Sequence, residues 1–146
     1  MGHSNRRYAL FILASIFAVA QLDRQILSIT LNAIGQEFAL SDTQLGLLSG
    51  AIFAIVFVLA GFPVARLAAK GSRRNIVAVS VTFWSLLTMF TASAQNFLHL
   101  IVARIGVGVG EAGAVSPAHS MISDLYPPER RTSALATFAS GANVGI

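Results

Sequence analysis

Three stretches of this chain carry no Asp, Glu, Lys or Arg: Tyr8–Leu22, Thr43–Ala65 and Asn75–Ala103. A helix that crosses a bilayer needs about 20 mostly apolar residues, each rising about 1.5 Å. The second stretch satisfies that unaided, and the third exceeds one span and must contain a turn. A soluble surface has to be polar somewhere, and soluble domains carry about 25% charged residues. Here the share is 11%, with a mean hydropathy of +0.71. The fold class that follows is all-α, a polytopic transmembrane helix bundle.

The net charge of +4 and pI near 10.7 do not point to nucleic acid. Lys and Arg sit in small clusters between apolar runs and form no basic stripe, so no nucleic-acid partner is expected. Cysteine is absent, which removes disulfides, thiolate zinc sites and a thiol nucleophile. His3 and His99 are too isolated to hold a metal, and no cofactor is implied.

Along the chain, helix 1 is expected over about residues 8–36. Helix 2 follows over about 43–69, entered through Ser41-Asp42-Thr43-Gln44, where Ser41 and Gln44 fit a capping box. Lys70-Gly71-Ser72-Arg73-Arg74 reads as a turn, helix 3 as about 75–91, and Ser93-Ala94-Gln95-Asn96 as a short polar break. Helix 4 covers about 97–126 and stops at Pro127-Pro128. An uncharged segment, 132–146, follows Glu129-Arg130-Arg131. Its length of about 15 residues falls short of a span, so it reads as the start of a fifth helix in the front part of a longer protein. A peripheral final helix is the alternative.

Orientation follows the basic residues. Arg6 and Arg7 precede helix 1; Arg66, Lys70, Arg73 and Arg74 surround the second turn; Arg130 and Arg131 follow helix 4. The intervening turns hold Glu37 and Asp42, or no charge. The N-terminus and the basic turns therefore belong in the cytoplasm, in a multi-pass protein of the cell membrane. Arg6-Arg7, an apolar run and Ala18-Val19-Ala20 also imitate a signal peptide. Apolar character resumes directly after Arg24, which favours one continuous membrane helix.

Charges inside the spans are the functional clue. Asp23, Arg24, Arg104 and Glu111 all fall within expected helices, where each costs on the order of 2.5–3.5 kcal/mol. Pairing or water must compensate. Gln21, Arg24, Gln25, Ser28 and Asn32 share one helical stripe, and lipid cannot satisfy such a stripe, so it faces a hydrated cavity or protein. Asp23 lies about 100° to one side. Arg104 and Glu111, seven residues apart, share nearly one face of helix 4. Counting about 1.5 Å per residue from the cytoplasmic ends puts Arg24 and Glu111 at similar depth, and a contact between them is expected. Locking helices together is the plainer role for such charges, although buried pairs are weak evidence for stability.

Gly106, Gly108, Gly110 and Gly113 are spaced for close helix approach. A phosphate-binding loop would need a preceding strand and a βαβ setting, both missing. Pro63 and Pro117 fall near cytoplasmic helix ends, where kinks are tolerated. Ser116 and His119 could be imagined as a nucleophile–base pair, but no third residue orients them. His119 is read as cavity-lining, Trp84 as packed, and the chain as no enzyme.

Four passages together resemble the N-terminal part of a major facilitator superfamily transporter, of the bacterial spinster-like branch. They are Leu22-Asp23-Arg24-Gln25-Ile26-Leu27-Ser28, the entry Leu40–Leu48, the turn Phe62–Arg74, and Ala103–Gly113 continuing through Ser116-Pro117-Ala118-His119-Ser120 to Arg131. The resemblance implies two six-helix halves with substrate bound between them near mid-membrane. It implies cavity and proton-coupling roles for Asp23, Arg24 and Glu111, with Arg104 as the helix 4 arginine of the motif. Arg66, Lys70, Arg73 and Arg74 become a cytoplasmic gate loop. Membrane lipid, protons, an organic or lipid-like solute and the C-terminal helices of the transporter are the implied partners. One departure stands out. Where the family reads Leu-Ala-Asp-Arg, this chain reads Leu67-Ala68-Ala69-Lys70, and the acidic gate residue is lost. The competing functional class is a non-transporting scaffold or an inactive gene fragment.

Overall fold

The computed structural model describes residues 3–144, with side chains placed over 5–143. Among them the chain is helical, in five helices and no strand. Helix α1 runs over His3–Glu37 and passes unbroken through Ala18-Val19-Ala20. It ends in a Schellman turn: Leu40 N–H donates to the Gly35 carbonyl at 2.9 Å and Ala39 N–H to that of Gln36 at 3.5 Å. Ala39 sits at φ 49°, the left-handed position that such a turn usually gives to glycine.

Helix α2 spans Asp42–Lys70. Ser41 Oγ accepts from Gln44 N–H at 3.3 Å while Gln44 Oε1 accepts from Ser41 N–H at 2.9 Å; the reciprocal pair satisfies two amides that a helix start leaves open. One π-helical turn, Leu47–Ala51, interrupts it and turns Leu48 into the interior, where it is buried. Gly71 closes the helix through a bond to the Leu67 carbonyl.

Helices α3, Arg73–Thr91, and α4, Phe97–Leu125, flank the polar break, where Asn96 Oδ1 caps α4 by accepting from His99 N–H at 3.0 Å. Helix α5, Pro128–Val144, begins four residues before the uncharged stretch. The reason is local: Pro128 ends the previous helix and suits the first turn of the next, where its missing N–H costs nothing, and Glu129 complements the helix start.

Length and apolar composition single out three of the four expected spans. Only α1, α2 and α4 are both long and apolar enough to cross a membrane, among the described residues. The 19 residues of α3 include Ser80, Thr82, Ser85, Thr88 and Thr91, which dilute its apolarity. Two of those hydroxyls return to the helix itself, Thr82 to the Ala78 carbonyl and Thr91 to that of Leu87, each at 3.0 Å.

Helix α4 is the hub. Of its most apolar window 56% is buried inside the protein, against 17% for α1 and 11% for α2. Its glycines make that possible. Gly106, Gly110 and Gly113 face α3: a Cβ on Gly110 would stand 2.6 Å from Trp84 Cβ and 3.1 Å from the Ser80 carbonyl oxygen. Gly108 faces α2, against Phe53 and Val56. On the other side α5 crosses α1 closely, with Gly141 against the Ala14 carbonyl. Outer faces carry Ile55, Leu59, Phe62, Val79 and Met89, all exposed, as lipid contact requires.

Close approach at Gly110 is therefore a condition of the fold. Gly110→Ala is expected to lower the thermal unfolding midpoint in detergent, through overpacking of about 1–3 kcal/mol. Gly61→Ala, whose Cβ meets nothing within 4 Å, should instead hold or raise it, by up to about 1 kcal/mol of helix propensity.

Candidate functional site

Glu111 has no exposed surface at all. Its depth in α4 places it opposite Arg24 of α1, which donates to Glu111 Oε2 through Nε at 3.0 Å and Nη2 at 2.5 Å. The third guanidinium nitrogen, Nη1, donates to Gln21 Oε1 at 2.8 Å, one turn earlier on α1. Gln21 thus fixes the fork that meets the carboxylate. Both donors converge on one oxygen, and no donor among the described residues reaches Glu111 Oε1.

Arg104 is also buried, at 8% exposure, yet it makes no ion pair among the described residues. Phe53 of α2 is what holds it. The Arg104 guanidinium lies 4.7 Å from the Phe53 ring centre and that of Arg24 lies 4.8 Å from the same ring. Both guanidinium groups thus contact the one Phe53 ring, and Phe57, one turn on, adds a contact to Arg24 at 5.7 Å. Such contacts contribute more when desolvated, about 2 kcal/mol each at the upper end.

Asp23 turns away from that cluster, as its angular offset from Arg24 dictates. Its Oδ2 accepts from Thr88 Oγ1 of α3 at 3.1 Å. Asp23, Thr88 and Arg104 line one cavity of about 430 Å³, which extends past Thr30 and Leu48 to Glu37 at the end of α1. Carboxylate, hydroxyl and guanidinium thus share a mostly apolar crevice.

The four intramembrane charges accordingly converge on one region. The other candidates do not all join them. Gln25 is half-buried, Ser28 and Asn32 are exposed, and none of the three lines that cavity. His119 is exposed on one side; its Nδ1 lies 3.0 Å from the Val115 carbonyl and its ring meets the Phe138 ring edge-on at 4.9 Å. In the turn between α2 and α3, Arg66, Lys70 and Arg74 are exposed. Arg73 forms an ion pair with Asp124 at the end of α4. Phe53, Thr88 and Asp124 carry these contacts without having been singled out in the sequence. Phe53 and Phe57 at i, i+4 gave the only advance signal, and an aromatic pair in an apolar run is commonplace.

A bundle of long apolar helices around a buried, ion-paired carboxylate is the architecture of a multi-pass membrane protein. The chain matches the Major Facilitator Superfamily over residues 13–146 and belongs to that family. A crystal structure of a bacterial homologue of the human lysosomal transporter spinster, inward-facing and unoccupied, superposes with a TM-score of 0.93 at 38% identity. The match covers 99% of this chain and 30% of that one. An MFS-type efflux pump of Mycolicibacterium smegmatis is 35% identical, over 92% of this chain and 32% of its own length. Protein spinster homolog 1 of Xenopus laevis is 31% identical, over 92% of this chain and 26% of its own length. The chain spans about a third or less of these relatives.

Breaking the pair from either side should have unequal effects. Arg24→Gln strands a carboxylate with no exposed surface and is expected to cost about 3 kcal/mol or more. Glu111→Gln strands a guanidinium with a side-chain exposure of 31% and should cost less. Thermal unfolding of both single variants and the double variant gives the coupling; additivity would show that the two side chains do not interact. Phe53→Leu keeps most of the apolar volume and removes the ring that both cations contact, so its midpoint should fall by about 1–3 kcal/mol equivalent. The same substitution in an Arg104→Met background should lose less.

Proposed function

We propose that this chain supplies the N-terminal helices of a secondary transporter that moves an organic or lipid-like solute by alternating access, coupled to protons. The observation that carries the reading is the Arg24–Glu111 pair, fully buried on its acidic side. An intramembrane charge is costly and is kept where a pathway or relay uses it. Glu111 Oε1, which meets no donor among the described residues, is the oxygen that takes the proton. Protonation neutralises the carboxylate and weakens its hold on Arg24, and α1 is then free to shift against α4. Asp23, on the cavity floor with Thr88, is the second carboxylate of the pathway, and Arg104 supplies the positive charge that attracts an anionic part of the solute.

The relatives suggest the solute class. One is a probable L-galactonate transporter of Escherichia coli and another a probable sulfoacetate transporter of Cupriavidus necator, both organic anions by name. The N-terminus and the basic turns lie in the cytoplasm, in keeping with Arg6, Arg7, Arg66, Lys70, Arg73, Arg74, Arg130 and Arg131 gathering at one end. In place of the gate-loop acid absent at Ala69, Asp124 engages Arg73.

Uptake into proteoliposomes by a complete transporter carrying these helices should rise several-fold under an inward-directed pH gradient. The Asp23→Asn/Glu111→Gln variant should lose that response. Unchanged gradient-driven uptake by the double variant would end the coupling proposal.

A further inference from the structure

At the basic end of the bundle, Arg6 and Arg7 of α1 and Arg130 of α5 line one pocket of about 440 Å³, walled by Tyr126 and Pro127. No carboxylate is among the residues lining it. The ion pairs among the described residues engage Arg24 and Arg73, so none of these three guanidinium groups is neutralised by one. Like charges gathered around one space repel unless an anion joins them.

The wall of the pocket is held in place. Arg131 Nε donates to the Tyr126 carbonyl at 3.0 Å, and Arg130 N–H donates to that of Pro127 at 2.9 Å. The turn between α4 and α5 therefore fixes the backbone from which Arg130 projects. Its level matters as well. The pocket lies where α1 and α5 begin and α4 ends, the depth at which a spanning helix leaves the hydrocarbon and meets head groups. Arg7 also borders a second hollow of about 430 Å³ between α1 and α5, lined by Leu10, Phe11, Ala14 and Gly141 among others. A free phosphate would use the arginines and leave that groove empty. A phospholipid fills both.

We propose that this arginine pocket is a head-group site for an anionic phospholipid, with one acyl chain along the α1–α5 groove. Guanidinium forks suit a phosphate diester, offering paired donors as well as charge. This site is separate from the Arg24–Glu111 pair, and its occupancy does not depend on proton coupling.

The test is lipid retention by the purified chain in neutral detergent, read by native mass spectrometry after titration with dioleoylphosphatidylglycerol or dioleoylphosphatidylcholine. Phosphatidylglycerol should be retained about tenfold or more over phosphatidylcholine. The Arg6→Gln/Arg7→Gln/Arg130→Gln variant should lose that preference. Arg66→Gln/Lys70→Gln/Arg74→Gln, which removes the same charge from the other basic turn, should keep it. An Arg6→Lys/Arg7→Lys/Arg130→Lys variant retains the charge without the forks, should show a reduced preference, and carries the test if the glutamine variant does not fold. Equal retention of the two lipids, equal loss in both glutamine variants, or an undiminished preference in the lysine variant would overturn the proposal. Full displacement of phosphatidylglycerol by millimolar inorganic phosphate would reassign the pocket to a free anion.

Discussion

A carboxylate sealed from solvent in the middle of an apolar bundle governs what the rest of this structure can be. Glu111 has no exposed surface, and an unpaired charge there would cost several kcal/mol even after relaxation. Arg24 must therefore reach it, which fixes the height and rotation of α1 against α4. Gln21 orients the guanidinium and Phe53 backs it. Each is understandable as a consequence of keeping one ionised group in a place that disfavours it.

The glycines of α4 belong to the same constraint. Side chains as long as Arg and Glu need room to meet, but the helices around them need to be close enough to exclude lipid. Gly110 brings α3 to within backbone contact, Gly106 and Gly113 make room for Leu87 and Ser80 of the same helix, and Gly108 lets Phe53 of α2 lie against the arginines. Helix–helix association in a bilayer relies on such packing, because lipid tails are as apolar as the side chains they replace. In this chain the residues that pack and the residues that carry charge alternate along a single helix.

Much of this was legible in the sequence, and the failures have physical causes. Charge-free stretches and the Ser41 and Pro127-Pro128 signals mark membrane helices because lipid leaves the backbone no other choice. Depth counted from helix ends brought Arg24 and Glu111 to one level, since the rise per residue is fixed. The polar stripe was less informative. Periodicity gives the angle between side chains but not which neighbour each angle meets; Gln21 and Arg24 turn to α4, while Ser28 and Asn32 on the same stripe are exposed. Asp23, off the stripe, reaches Thr88 and the cavity. Asp124 could not be assigned to Arg73 without knowing that α3 and α4 are neighbours along their length. The π-helical turn at Leu47–Ala51 has no sequence mark beyond Gly46 and Gly50, although it sets the face of α2 that presents Leu48 and Phe53.

The arrangement of contacts also says where this bundle can yield. Helices α2, α3 and α4 are joined by backbone-close packing at Gly106, Gly108, Gly110 and Gly113, and α1 is joined to α5 by the crossing at Ala14 and Gly141. Close-packed groups of this kind move as units. Between the two groups the joints are of another kind: the Arg24–Glu111 pair, the Asp23–Thr88 bond, Phe138 set between Phe17 and His119 at 4.8 and 4.9 Å, and a buried apolar cluster that includes Leu13, Ala20, Trp84, Ala118 and Ile122. Aromatic contacts tolerate sliding, and a single hydroxyl bond is worth about 1 kcal/mol. The ion pair is the one charge–charge link across the seam among the described residues. It joins α1 to α4, whereas the Arg73–Asp124 pair joins α3 to α4 within the glycine-packed trio, so a change of charge at Glu111 acts across the seam and one at Asp124 does not.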